Sequence, residues 1–414
     1  MENFIIFVGS KTTLKDMKEH FSCCPDQGLA PQEQLLGTKS ARKRFCIGLP
    51  KECSGGEKRF PLTPEAIAIL TERGIRIFME PGAGEGINYS DFHYTEAGAE
   101  IQPAEDVYRC DMVLKLTPLN IREAGLIRPG AVLMTLFQPQ YQSVEVLKIL
   151  ISKKVTALAI DHIGNEAGRC PVADLLSIVD GLASVVVATE WMSNRTGGKG
   201  ILMGGVPGVA SSEVVIIGAG LAGRAAARSA LGLGALVRVF DDNFYRLQAA
   251  QQEVSPALFT SNMHRNVLEN ALRTADVVIG TEVFGDFALD ETAVLKMKKG
   301  ALLFDLCMDR GGCFATSVCS EAPCDKVYEK YGVLHYCLSS VGSAVARTAS
   351  MALSNQLVPM LSELMSPMNI LSEISRNAGW GEAVYLHGGK LVNKTLSVRT
   401  GLPCFDMNLF MSMF

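Results

Sequence analysis

A glycine-rich turn held between two regular patterns constrains this chain most. Val214-Val215-Ile216-Ile217 is a β-branched run, Gly218-Ala219-Gly220-Leu221-Ala222-Gly223 follows, and an alanine-rich helical stretch leads to a second apolar run ending at Asp241-Asp242. A lone GxGxxG carries little information, because glycine-rich turns are common. Placed between a strand and a helix, with an acid 18 residues beyond its last glycine, it is the fingerprint of a dinucleotide-binding βαβ unit. Gly218 allows the tight turn, Gly220 lets a pyrophosphate approach the backbone, and Gly223 lets the helix pack closely on the strand. The free N–H groups at the helix start then favour an anion. Asp241 is placed to accept hydrogen bonds from an adenosine ribose, and with Asp242 it would repel a 2′-phosphate. The reading is an NAD site; the plainer alternative is a structural turn in an α/β domain.

A chain of 414 residues exceeds one ordinary core, so two domains are expected. The composition, 48% hydrophobic and 20% charged, is that of a globular protein, and a net charge of −4 gives no reason to expect nucleic acid or a membrane surface as partner. The 12 cysteines form no CxxC pair, and several sit in apolar runs (Cys110, Cys307, Cys337). The N-terminal run Ile5-Ile6-Phe7-Val8 is too short for a signal peptide and follows Glu2 rather than a basic cluster. Reduced thiols in a cytoplasm, with no metal site, are expected. The best candidate for a membrane span, near 182–189, is bounded by Asp180 and Glu190 and falls short of the roughly 18 residues required.

Residues 1–44 read as an N-terminal extension ending in the basic linker Lys39-Ser40-Ala41-Arg42-Lys43-Arg44. From Phe45 apolar runs alternate with helical patterns. Strands are expected at Phe45–Leu49, Ile75–Glu80, Val113–Leu116, Val132–Phe137 and Val155–Ile160, with helices at Pro64–Arg73 and Val144–Ser152. A long helix from about Asp174 to Ser193 precedes the fingerprint. Strands then recur at Val237–Phe240, Val277–Ile279, Leu302–Leu306 and Val333–Tyr336, with helices at Tyr245–Gln252, Val267–Thr274 and Glu291–Lys298. A helical stretch from about Thr348 to Leu364 could pack back on the first half. Such alternation predicts parallel sheets covered on both faces. The fold class is therefore α/β, with two doubly wound domains, one of them a Rossmann NAD-binding domain, and the active-site cleft between them. A discontinuous substrate domain takes 45–173 and 344–414; the NAD-binding domain takes 174–343.

Ligands in such sheets lie outside the carboxyl ends of the strands, and three charged residues fall there. Arg59 is in the loop after the first strand, Lys115 lies inside an otherwise apolar strand near its end, and Asp309 follows the strand Leu302–Leu306. A lysine in a buried run is costly unless paired. Arg59 also reads as a solvated loop arginine, and Asp309, before Gly311-Gly312, as a turn former.

Ile47-Gly48-Leu49-Pro50-Lys51-Glu52, Arg59 to Pro64, Glu80-Pro81-Gly82-Ala83-Gly84, Leu114-Lys115, Gly204-Gly205-Val206-Pro207-Gly208-Val209, the fingerprint, Asp309 to Phe314 and His335-Tyr336-Cys337 occur in that order over about 45 to 355. Together they resemble the alanine dehydrogenase family, which is related to the first domain of the proton-translocating nicotinamide nucleotide transhydrogenase. Gly311-Gly312-Cys313-Phe314 favours the former branch. The resemblance implies that Arg59 clamps the substrate carboxylate, that Lys115 binds that carboxylate or the keto oxygen, and that Asp309 assists proton transfer. It also implies that Asp241 holds the adenosine ribose, Arg246 lies near the adenine and Ser177 touches the nicotinamide end. The family's usual catalytic histidine after the strand Val132–Phe137 stands here as Gln138, which can hydrogen-bond a carbonyl but cannot relay a proton. The family's Met-Ser-Glu-Ile-Ala-Gly reads here Leu176-Ser177-Ile178-Val179-Asp180-Gly181.

The expected activity is NAD-dependent oxidative deamination of L-alanine to pyruvate and ammonium, by a cytoplasmic homo-oligomer, a hexamer by family likeness. The alternatives are another amino-acid dehydrogenase, a transhydrogenase-like hydride carrier, and an NAD-binding sensor without catalysis.

Overall fold

The computed structural model describes residues 45–406, apart from 54–55, 286–288, 319–326, 339, 363, 365–371, 373 and 375–376. The extension read over residues 1–44 lies outside them. In the first half the strands are β1 (Cys46–Leu49), β2 (Arg76–Met79), β3 (Glu100–Ile101), β4 (Met112–Leu114), β5 (Val132–Thr135) and β6 (Thr156–Ala159). The second half has β7 (Glu213–Ile217), β8 (Leu236–Phe240), β9 (Phe259–Ser261), β10 (Val277–Gly280), β11 (Leu302–Asp305), β12 (Tyr328–Lys330) and β13 (Val333–Tyr336). Two C-terminal strands, β14 (Val384–His387) and β15 (Lys390–Leu391), return to the first half.

The two sheets repeat one design. The first runs β15-β14-β6-β5-β4-β1-β2-β3 and the second β12-β13-β11-β10-β7-β8-β9. In each, six parallel strands take the doubly wound order, and the order reverses between β1 and β4 and between β7 and β10. All residues of β1, β4, β5, β6, β10 and β11 are buried, because helices cover both faces. One apolar cluster lies on each face of each sheet.

The expectation of wholly parallel sheets needs correcting at the edges. β12 pairs antiparallel with β13, and β14 pairs antiparallel with both β6 and β15. The helical stretch expected from about Thr348 to Leu364 is the helix Ala346–Ser362, and the β14–β15 hairpin lies beyond it, where no strand was expected. Its Gly388-Gly389 turn has φ of 56° and 81°, as a two-residue hairpin turn requires. The helix expected at Glu291–Lys298 is regular only over Glu291–Val294.

The 22-residue helix Pro171–Met192 joins the halves. It is long and apolar enough for a membrane span, which the sequence reading did not expect, yet Val172 and Leu176 enter the first core and Ala183, Val185, Val187, Ala188 and Met192 the second. It packs on the helices Leu221–Gly232 and Ala346–Ser362. A Cβ on Gly181 would stand 2.2 Å from the Ala222 carbonyl oxygen, so glycine is what lets this helix meet the fingerprint helix.

Candidate active site

The switch points bring the loops after β1, β5, β6, β7, β10 and β11 toward one cleft of about 530 Å³ between the sheets. Arg59, Gln138, Asp161 and His162 line it from the first sheet. Ser177 and Asp180 line it from the joining helix, and Ala222, Thr281, Asp309 and Arg310 from the second sheet. The turns Pro139–Tyr141 and Met308–Arg310 touch across it. Arg59, Gln138, Ser177 and Asp309 are thus brought together; Lys115, Asp241 and Arg246 are not among the lining residues.

Arg59 is held by Glu57, two residues before it, which the distant Ser343 fixes in turn. Its Nε and Nη2 donate to Glu57 Oε1 and Oε2 at 2.9 and 2.7 Å, and Ser343 Oγ donates to Glu57 Oε1 at 2.6 Å. The Phe60 and Thr63 amides donate to Ser350 and Ser354, one turn apart on the helix Ala346–Ser362, which holds the loop against that helix. Burial opposes the charge on Glu57, but Arg59 outweighs it and holds the carboxyl below its ordinary value. Nη1 is the end not bonded to Glu57, and Asp180 lies within its electrostatic reach. Asp180 Oδ1 accepts from the Gly342 amide at 2.9 Å.

Lys115 stands just past β4, whose last residue is Leu114, and is 1% exposed. Its Nζ donates to Thr117 Oγ1 at 2.6 Å and to Glu52 at 3.1 Å, with Glu123 at 3.7 Å. Burial works against its charge, but Glu52 and Glu123 prevail and hold the ammonium above its ordinary value. The structure places Lys115 inside an ion-pair cluster of the first sheet.

Gln138 begins the turn after β5, is 6% exposed, and its Oε1 has no hydrogen-bond partner. A buried acceptor left unmade costs about 1–3 kcal/mol, so this atom is poised for a donor from a ligand. Asp161, just past β6, accepts from the Phe137 amide at 2.7 Å, while the His162 ring lies tilted against Phe137, with centroids 4.7 Å apart and planes at 51°.

On the facing side Asp305 closes β11 and shapes the loop that carries Asp309. Its carboxylate accepts from the Cys307 and Cys313 amides, both at 2.8 Å, and from the Ser317 hydroxyl. Asp309 is partly exposed, and burial, with Asp161 and Asp180 adding to it against Arg310, pushes its carboxyl up to about 6. A carboxyl in that range can take and return protons near neutral pH.

The fingerprint turn fits a dinucleotide. Gly218 has φ of 105°, a Cβ on Gly223 would lie 1.9 Å from the Gly218 carbonyl oxygen, and the position above Gly220 is open. Asp241, at 1% exposure, accepts from the Ala219 and Asn243 amides at 2.7 Å each, which fixes its carboxylate beside the turn. Arg246 pairs with Glu282 and stands 3.8 Å from Asp241.

Sequence reasoning missed Asp161, Asp180, Asp305 and Arg310. Asp161 and Asp305 obey the strand-end rule that picked Asp309, so a signal was present. Arg310 adjoins Asp309. Asp180 lies inside an apolar helix and carries no local mark.

Residues 48–182 match the family described as Alanine dehydrogenase/PNT, N-terminal domain, and residues 184–394 match Alanine dehydrogenase/PNT, C-terminal domain. An alanine dehydrogenase of Staphylococcus saprophyticus is 32% identical over 366 residues, 87% of this chain and 98% of that protein. That of Geobacillus stearothermophilus is 34% identical over 318 residues, 76% of this chain and 85% of that protein. A solved L-alanine dehydrogenase superposes with a TM-score of 0.76 at 29% identity, covering 86% of this chain and 98% of its own. A transhydrogenase from Sinorhizobium meliloti shares the fold, with a TM-score of 0.69 at 23% identity over 84% of this chain and 99% of its own.

Proposed function

This chain belongs to the alanine dehydrogenase/PNT family, and on that footing we propose that it is an oxidoreductase for the NAD-dependent oxidative deamination of a small L-amino acid, the reaction that turns L-alanine and water into pyruvate and ammonium. One observation carries the reading. The helix that opens at the glycine turn, at Ala222, and the carboxyl of Asp309 face the same cleft as Arg59 and Gln138.

Gly218, Gly220 and Gly223 would hold the pyrophosphate of NAD, Asp241 its adenosine ribose, Arg246 its adenine and Ser177 its nicotinamide end, and the bound cofactor would accept the hydride. The chain's own residues do the rest. Nη1 of Arg59 takes one oxygen of the substrate carboxylate, for which a guanidinium is suited. Family likeness reads Lys115 as the second group for that carboxylate, a role that requires its Nζ to leave Glu52. Asp309 accepts a proton from the substrate ammonium before the hydride leaves and releases it to solvent, then takes one from the water that attacks the imino carbon and returns it to the departing amine. Gln138 orients that carbon's polar group through its amide and leaves proton relay to Asp309. The exposed row Ile178, Leu182 and Val186, at 38%, 42% and 56%, supports a homo-oligomer, read as a hexamer by family likeness.

The test is NADH formation from a panel of L-amino acids at alkaline pH, with NAD and NADP compared. NADH formation from L-alanine is expected. NAD binding without turnover of any amino acid would replace the dehydrogenase by a sensor.

A further inference from the structure

The cleft holds more acid than its bases balance. Glu57, Asp161, Asp180 and Asp309 gather around the Arg59 and Arg310 guanidiniums and the His162 imidazole. Arg59 is already bidentate with Glu57. Arg310 pairs with Asp309 at 3.8 Å, and among the described residues Asp161 and Asp180 form no ion pair within 4 Å, so two of the four carboxylates lack a paired cation. Asp161 and Asp180 both reach Asp309 electrostatically, so the excess is one shared field. Burial pushes the Asp161 and Asp180 carboxyls above their ordinary values, against His162 and Arg59 respectively, as unmatched acids should behave. An independent mark points the same way: Gln138 Oε1, buried at the same cleft, accepts no hydrogen bond from the protein.

An oxidised nicotinamide ring brings one positive charge into this space. An alanine zwitterion brings none, so one carboxylate stays unmatched. Its ammonium also faces three carboxylates and one amide oxygen, more acceptors than a single donor group saturates. We infer that the preferred substrate is an L-amino acid whose side chain carries a second ammonium, held by Asp180 and Gln138 Oε1, with the reacting α-ammonium left to Asp309. This rests on the dehydrogenase reading and names its substrate class: a short basic amino acid used ahead of alanine.

The decisive comparison is L-ornithine against L-norvaline, which has the same chain without the side-chain amine, with L-alanine and L-glutamate alongside. NADH formation at pH 9 gives kcat/KM. Quenching of bound NADH fluorescence gives each affinity without turnover. The expected result is a kcat/KM and an affinity for ornithine at least about tenfold above norvaline and alanine, with glutamate weakest. In Asp180→Asn the ornithine-to-norvaline ratio falls toward one, whereas a merely structural role for Asp180 would lower both substrates together and keep the ratio. Turnover of alanine and norvaline as good as that of ornithine overturns the inference and leaves the dehydrogenase reading standing. Bound NADH with no amino acid oxidised or bound overturns both.

Discussion

The turn after β7 and the rim after β1 and β4 occupy the same place in two sheets of the same strand order, yet they are built differently. The turn is made of backbone: a left-handed Gly218, a helix pressed on it at Gly223, and a carboxylate fixed by two amides. The rim is made of side-chain charges, with Arg59 and Lys115 each buried against a glutamate. A backbone site suits a ligand that many proteins share, because it recognises phosphate and ribose through groups every chain has. A charge-built site can be rewritten one side chain at a time. Changes at the rim should therefore alter turnover and spare cofactor affinity, and changes at the turn should do the reverse.

The largest expected break of this contrast is at Asp309, which acts on the amino acid from the cofactor's own half. Asp309→Asn should lower kcat/KM by about 100- to 10,000-fold, as loss of a general base does, with NADH affinity by fluorescence titration unchanged. In the wild-type chain kcat/KM should rise through about pH 6. Stability has the opposite slope. The folded carboxyl holds its proton more tightly than the unfolded one, near 3.9, so its stabilising contribution is complete below that value and lost as pH rises to about 6. Melting temperatures of Asp309→Asn and wild type should coincide near pH 4, and the variant should be the higher at pH 8.

Lys115→Met probes the rim itself. It leaves Glu52, 4% exposed, without its cation, and breaking a buried pair on one side costs about 3–5 kcal/mol. Denaturant unfolding should show that loss and should show most of it recovered in Lys115→Met/Glu52→Gln. If Lys115 also clamps the substrate, kcat/KM falls at least about tenfold, a contact of roughly 1.5–3 kcal/mol, while NAD binds as before. A variant as stable as wild type would show that the cluster around Lys115 does not hold the sheet together.

At the turn, Gly223→Ala sets a methyl against the Gly218 carbonyl. Overpacking of that kind costs about 1–3 kcal/mol, and NAD affinity should fall with it. The smallest effect concerns cofactor choice. NAD should bind at least about tenfold more tightly than NADP, a difference of roughly 1.4 kcal/mol, because Asp241 and Asp242 meet the 2′-phosphate and Arg246 is engaged by Glu282. Glu282→Gln frees Arg246 and should narrow that ratio. Equal affinities in the wild-type chain would remove the carboxylate argument.

The same contrast decides what could be read in advance. The strands were legible because both faces are buried and the runs are apolar; Val333–Tyr336 and the helix Val144–Ser152 end where the pattern ends. The fingerprint was legible because glycine identity and backbone geometry are one fact. The rim was legible only as isolated charges. Ser343 meets Glu57 across 286 residues and Lys115 meets Glu52 across 63, and nothing local records such meetings. Asp180 is an acid in an apolar helix until the fold sets Arg59 and Gly342 beside it. The C-terminal hairpin did have its Gly-Gly mark, outweighed by the helical character of the stretch before it.

The helix Pro171–Met192 has a thermodynamic consequence. Chains with two sheets of this kind often melt in two steps, each half losing its core independently. Here a single helix contributes side chains to both cores, and its contact with the fingerprint helix is too close to admit a Cβ. Neither half can unfold without stripping apolar cover from the other, at about 25 cal/mol for each Å² exposed. The described halves should therefore behave as one cooperative unit, with a calorimetric enthalpy equal to the van't Hoff enthalpy across a single transition.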